Sequence, residues 1–108
     1  MEEPEFKTRA DAALESLYRK LSSASDRYEF EPDFNSGALS IEFDEPKGRF
    51  VISPNSPVRQ IWVSAHSTSF KLDWDSARNA FVLAGTGQDL QELIASAIQR
   101  QLGEEVTL

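Results

Sequence analysis

The stretch "VRQIWVSA", residues 58–65, decides the fold. Neighbouring side chains along a β-strand point to opposite faces, so Ile61, Val63 and Ala65 share one face and Gln60, Trp62 and Ser64 share the other. The first set is apolar and reads as core. The second leaves a tryptophan among polar side chains. Burying a tryptophan stabilises a small fold by roughly a few kcal/mol. A sheet that keeps Trp62 outside has one covered face and one face turned to solvent.

The flanking sequence supplies the cover. In residues 4–23, Phe6, Ala10, Ala13, Leu14, Leu17 and Leu21 recur at three- and four-residue spacing, which predicts an amphipathic helix. Pro4 suits a first helical turn, and Glu3 and Glu5 favour the positive end of the helix dipole. The serine-rich run 22–25 predicts the end of that helix. A second helix follows Asp89, which stands three residues before Glu92 in capping-box spacing. Leu90, Leu93, Ile94, Ala97, Ile98 and Leu102 make its apolar face, and Gly103 stops it.

Between the helices lie short alternating runs separated by turn residues. They are 28–34 "YEFEPDF", 38–44 "ALSIEFD", 49–53 "RFVIS", 58–65, 69–74 "SFKLDW" and 79–84 "NAFVLA". Pro32 cannot donate to a central ladder, which predicts an edge position for the first run. Short turns imply antiparallel neighbours. The predicted fold is therefore α+β: a two-layer sandwich with both helices on one face of a five- to six-stranded antiparallel sheet. A chain of 108 residues that is 40% hydrophobic makes one such domain, residues 1–108. The tail "EEVTL" is expected to lie against the core through Val106 and Leu108.

Charge narrows the function classes. The net charge is −7, and residues 1–45 carry all of it, with 12 acids against five bases. Such a field repels nucleic acid and anionic membranes and attracts cations or a basic protein. The chain has no cysteine, which excludes disulfides and thiolate metal sites. No apolar run approaches the ~20 residues of a membrane span. The opening "MEEPEFKTRADAAL" is acidic and lacks an apolar stretch, unlike a secretory signal or a mitochondrial presequence. Nucleophilic catalysis has no basis: His66 is the only histidine and no G-x-S-x-G elbow occurs. His66 is expected to be structural or on the surface.

The acids form the strongest constellation. Glu29, Glu31 and Asp33 are predicted to project from one face of a strand, roughly 6.6 Å apart. Asp11 and Glu15 stand one helical turn apart, and Glu3 lies at the start of the same helix. Carboxylates are hard ligands suited to hard cations, but single carboxylates without a coordinating loop make weak, exposed sites. A plain solvated face is the competing reading. Lys7–Asp11 and Glu15–Arg19 have the spacing of surface ion pairs, and acids on an edge strand deter aggregation. Trp62 favours a binding surface, because an exposed aromatic among polar groups suits a protein contact.

At this point the sequence resembles the frataxins, including the bacterial CyaY proteins. The resemblance runs from about residue 3 to 108 and is carried by "SGALSIEF", "FVISPNSPVRQIWVSA", "FKLDWD" and "DLQELIASAIQRQL" in that order. It implies a helix–sheet sandwich and a role in iron–sulfur cluster assembly. It further implies iron held weakly on an acidic ridge, and binding to a cysteine desulfurase and its scaffold protein. Carried over by position, the metal-binding ridge would be Glu3, Asp11, Glu15, Glu29, Glu31 and Asp33, with Asp26 added. The partner surface would be Gln60, Trp62 and Lys71. Two departures stand out. Arg19 and Lys20 replace the usual acids at the end of the first helix and thin the ridge. Ser53 stands where the family commonly has an asparagine.

The expected function is thus an iron-binding, non-catalytic regulator of the desulfurase–scaffold complex that could also deliver iron. The alternatives are a ferroxidase or iron-storage protein, and an acidic interaction module without a physiological metal. A monomer is expected, with an iron-dependent oligomer as the alternative. The expected compartment is the bacterial cytoplasm, or the mitochondrial matrix for a processed eukaryotic form.

Overall fold

The computed structural model describes residues 1–108. It begins with helix α1, Glu3–Ala24, whose stripe of Phe6, Ala10, Leu14, Leu17, Leu21 and Ala24 is buried. Six strands follow in sequence order: β1 (Glu31–Asn35), β2 (Ala38–Asp44), β3 (Lys47–Asn55), β4 (Gln60–Ala65), β5 (Thr68–Asp75) and β6 (Ala80–Leu83). Helix α2, Leu90–Leu102, comes last. The strands form one antiparallel sheet in the order β1-β2-β3-β4-β5-β6, a simple meander. Both helices pack on the same sheet face, and a single core joins them to Ile41, Phe50, Ile52, Ile61, Val63 and Leu72. The predicted α+β sandwich, with six strands, is the one observed.

Local chemistry explains the turns. Ser36 and Gly37 (φ +56° and +79°) make a two-residue hairpin between β1 and β2, with Asn35 facing Ala38. His66 and Ser67 (φ +52° and +60°) do the same between β4 and β5, where Ala65 faces Thr68. Between β5 and β6 the Asp75 carboxylate accepts from the N–H groups of Ala77 and Arg78, closing an Asx turn. The capping box of α2 is present in both directions, and Gly103 ends that helix at φ +70°. The tail lies on the core as expected: Val106 is buried, and the Thr107 N–H donates to the Tyr28 hydroxyl.

The serine run ends α1 at Ala24 as expected, with the Ser25 N–H bonded to the Leu21 carbonyl, but some strand boundaries differ from the sequence expectation. Arg27 and Tyr28 then both donate to the Ala24 carbonyl, so β1 starts at Glu31 instead of Tyr28. Glu29 consequently lies in the bend before the strand and not on its face with Glu31 and Asp33. Finally, Val58 and Arg59 do not open β4. Ser56–Val58 form a single 3₁₀ turn, and Arg59 takes a left-handed conformation (φ +55°).

A positive φ at a residue other than glycine carries a steric cost that glycine avoids. Ser67→Gly is therefore expected to stabilise the fold by about 0.5–1 kcal/mol, read as a rise of a few degrees in Tm. An unchanged or lower Tm would show that the β4–β5 turn is not strained.

Candidate functional site

The open sheet face is built from alternation and register. Gln60, Trp62 and Ser64 lie opposite the buried Ile61, Val63 and Ala65 on β4. Asp73 faces Gln60 across the β4–β5 ladder, and Lys71 faces Trp62. Trp62 is 37% exposed, one of few large apolar side chains in that state. Its indole N–H donates to Gln60 Oε1 at 3.0 Å, and the Gln60 amide donates in turn to Asp73 Oδ1 at 3.1 Å. The Lys71 ammonium stands 5.0 Å from the Trp62 ring centroid, a cation–π distance. All three predicted partner-surface residues therefore meet in one patch. Ser53 is Trp62's neighbour on the β3 side, and Asn55, two residues further on, faces Gln60. An asparagine thus borders the patch even though Ser53 is not one. The second tryptophan, Trp74, belongs to the helix-covered side, edge-on to Phe81 and capped by Arg9.

The predicted ridge acids divide into two groups. Glu3, Asp11 and Glu15 lie exposed along one side of α1. Lys7 pairs with Glu3 at 3.2 Å, not with Asp11, and Arg19 pairs with Glu15. Lys20 bonds to Gln91 on α2, so its ammonium is turned toward the second helix. Asp26 is exposed in the turn after α1. Asp33 faces Ser40.

The second group is a cleft of about 330 Å³ lined by Ser25, Tyr28, Glu29, Glu31, Glu42 and Asp44. Glu31 sits directly opposite Glu42 in the β1–β2 register, and the other neighbour of Glu42 is Arg49, 3.8 Å away. Like charges in opposed positions destabilise a ladder, and the arginine offsets part of that cost. Glu42 and Asp44 were not expected in this group. The signal was present: a two-residue turn at Ser36–Gly37 forces 31 to face 42. No three histidine or acidic side chains in the chain converge on a point that could hold a metal ion. The ridge is a set of separate carboxylates.

His66 does structural work. Its Nε2 lies 3.1 Å from Gln101 Oε1, and the Gln101 amide donates to the Pro46 carbonyl. The imidazole also meets Phe50 edge-on at 5.1 Å. It ties two sheet turns to the end of α2. One further feature escaped the sequence reading: a groove of about 460 Å³ between α1, β6 and the start of α2, floored by Leu17, Trp74, Phe81 and Leu90.

The chain matches the frataxin-like domain family over residues 1–104. It is 35% identical over 72 residues to the iron-sulfur cluster assembly protein CyaY of Azotobacter vinelandii, a match spanning 67% of this chain and 64% of that protein. It is 31% identical to the protein of the same name from Pseudomonas aeruginosa, covering 86% of this chain and 87% of the relative. Mitochondrial frataxin of Arabidopsis thaliana is 27% identical over all of this chain and 59% of its own length. Among solved structures, frataxin from Psychromonas ingrahamii superposes with a TM-score of 0.84 at 22% identity, covering 98% of this chain and 96% of that one. The chain belongs to the frataxin-like family.

The opposed Glu31–Glu42 pair makes a prediction of its own. Glu31→Gln is expected to raise Tm at low ionic strength, with the gain shrinking as salt screens the repulsion. A lowered Tm would mean that the pair does not repel.

Proposed function

We propose that this frataxin-like chain is an accessory protein of iron–sulfur cluster assembly. It binds a cysteine desulfurase–scaffold complex through the Gln60–Trp62–Lys71 face and carries weakly held iron on its acidic edge. The observation that carries the reading is Trp62. It is a large aromatic side chain, open to solvent, on the only sheet face that the helices do not cover. Aromatic anchors of this kind dominate binding energy at protein interfaces. The names of the curated relatives, iron-sulfur cluster assembly proteins, support the process.

The acidic side complements this face. A basic partner is drawn toward residues 1–45 by long-range attraction, which speeds encounter more than it tightens the complex. Iron arriving there meets single carboxylates of the cleft and of α1, so each ion keeps most of its water and leaves readily. That suits a cargo and not a resident cofactor. The proposed role is not catalytic. The proposed compartment is the bacterial cytoplasm; no helix is long and apolar enough to cross a membrane.

A second reading is an interaction module that uses its acids only for docking. It is favoured by the ion pairs at Glu3, Glu15 and Glu42, which leave those carboxylates less available to a metal.

Two measurements test the proposal. Trp62→Ala is expected to weaken binding to the desulfurase–scaffold complex by about tenfold or more, as hot-spot truncation does, with little change in Tm. Unchanged affinity would remove the sheet face from the interface. Titration with Fe(II) is expected to perturb the amide signals of Glu29, Glu31, Glu42 and Asp44, together with Asp11 and Glu15. Salt-sensitive partner binding with no response to iron at these positions would favour the metal-free module.

A further inference from the structure

The exposed tryptophan is not free to use all of its surface. Gln60 and Trp62 are two residues apart on the open face of β4, and Asp73 and Lys71 face them one-to-one across the ladder. This two-by-two arrangement is closed by hydrogen bonds. The Trp62 indole N–H is donated to Gln60 Oε1 at 3.0 Å, and the Gln60 amide nitrogen donates to Asp73 Oδ1 at 3.1 Å. Chemistry fixes the direction of both bonds. An indole nitrogen can only donate and an ionised carboxylate can only accept, so the glutamine must turn its oxygen to Trp62 and its nitrogen to Asp73. The Lys71 ammonium meanwhile lies over the Trp62 ring, 5.0 Å from its centroid.

We propose that Gln60 is a positioning residue: anchored by Asp73, it takes up the Trp62 N–H within the chain, so a partner meets Trp62 through its free ring surface and not through its nitrogen. This rests on the reading of Trp62 as the partner contact and specifies the chemistry of that contact. A partner acceptor aimed at the indole nitrogen would have to displace Gln60. A partner cation on the ring would meet the charge of Lys71. An apolar side chain laid against the ring needs neither change, and it is the partner group the patch selects. Holding the ring in place before binding also removes part of the cost of ordering it in the complex.

The test uses the full chain and separates the clamp from the interface. In the free protein, Gln60→Leu keeps the bulk of the side chain but removes the acceptor. It is expected to shift the Trp62 indole N–H resonance, assigned by its loss in Trp62→Phe, and to speed the exchange of that proton with solvent. Asp73→Leu releases the glutamine amide and is expected to speed the exchange as well, and Asp73→Asn, which keeps an acceptor, to do so less. Affinity of Gln60→Leu for the desulfurase–scaffold complex is expected to fall about fivefold, the equivalent of one net hydrogen bond. Trp62→Phe, which keeps an apolar ring, is expected to retain more affinity than Trp62→Ala. An indole signal unmoved by Gln60→Leu overturns the clamp. A Trp62→Phe loss equal to that of Trp62→Ala overturns recognition through the ring. Full affinity in Trp62→Ala instead overturns the partner reading itself, and leaves the free-state signal to judge the clamp.

Discussion

The structure depends on one constraint: two helices cover only one face of a six-stranded sheet. The large apolar side chains of the central strands must therefore mostly point one way. Leu39, Ile41 and Phe43 on β2, Phe50 and Ile52 on β3, and Ile61 and Val63 on β4 do so, and are buried. The opposite face is left with serines, charges and amides, a few small apolar side chains such as Val51 and Val82, and Trp62. An aromatic there gains nothing from the core. Its hydrogen bond to Gln60 and its contact with Lys71 keep it ordered at the surface instead.

The same alternation organises the acids. Glu31 and Asp33 fall on the open face because Pro32 and Phe34 turn inward, where Phe34 meets Tyr18 of α1. The acidic edge on β1 and β2 and the Trp62 patch on β4 and β5 consequently share one surface, with β3 between them. One row across it, Ser40–Val51–Ser64, is neutral, while the row Glu31–Glu42–Arg49 is charged. A negatively charged margin and an aromatic anchor on one face let a single partner engage both. Repulsion between Glu31 and Glu42 is the stability cost of crowding carboxylates at that margin.

Most of the architecture was legible in the sequence because its signals are local. The apolar stripe of α1, the Asp89–Glu92 cap of α2 and the alternation of β2 and β4 each report on neighbours a few residues away. What was missed depends on bonds whose partners alternation does not reveal. The start of β1 moved because the carbonyl of Ala24 captures the N–H groups of Arg27 and Tyr28. Val58 left β4 for a 3₁₀ turn that alternation alone does not encode. At the site, Gln60 and Trp62 followed from alternation along one strand and Lys71 from the family resemblance, whereas Glu42 and Asp44 required the register of the first hairpin. Lys20 was expected, with Arg19, to thin the acidic ridge; its hydrogen bond to Gln91 of α2 was not legible in the sequence.

The most direct test of the account labels this chain alone with 5-fluorotryptophan and follows its two ¹⁹F signals as the desulfurase–scaffold complex is added. Trp62 is predicted to shift and to lose its sensitivity to exchange of H₂O for D₂O, while Trp74, on the helix-covered side, stays in place. A complex that forms while the Trp62 signal keeps its position and its solvent sensitivity would contradict the account.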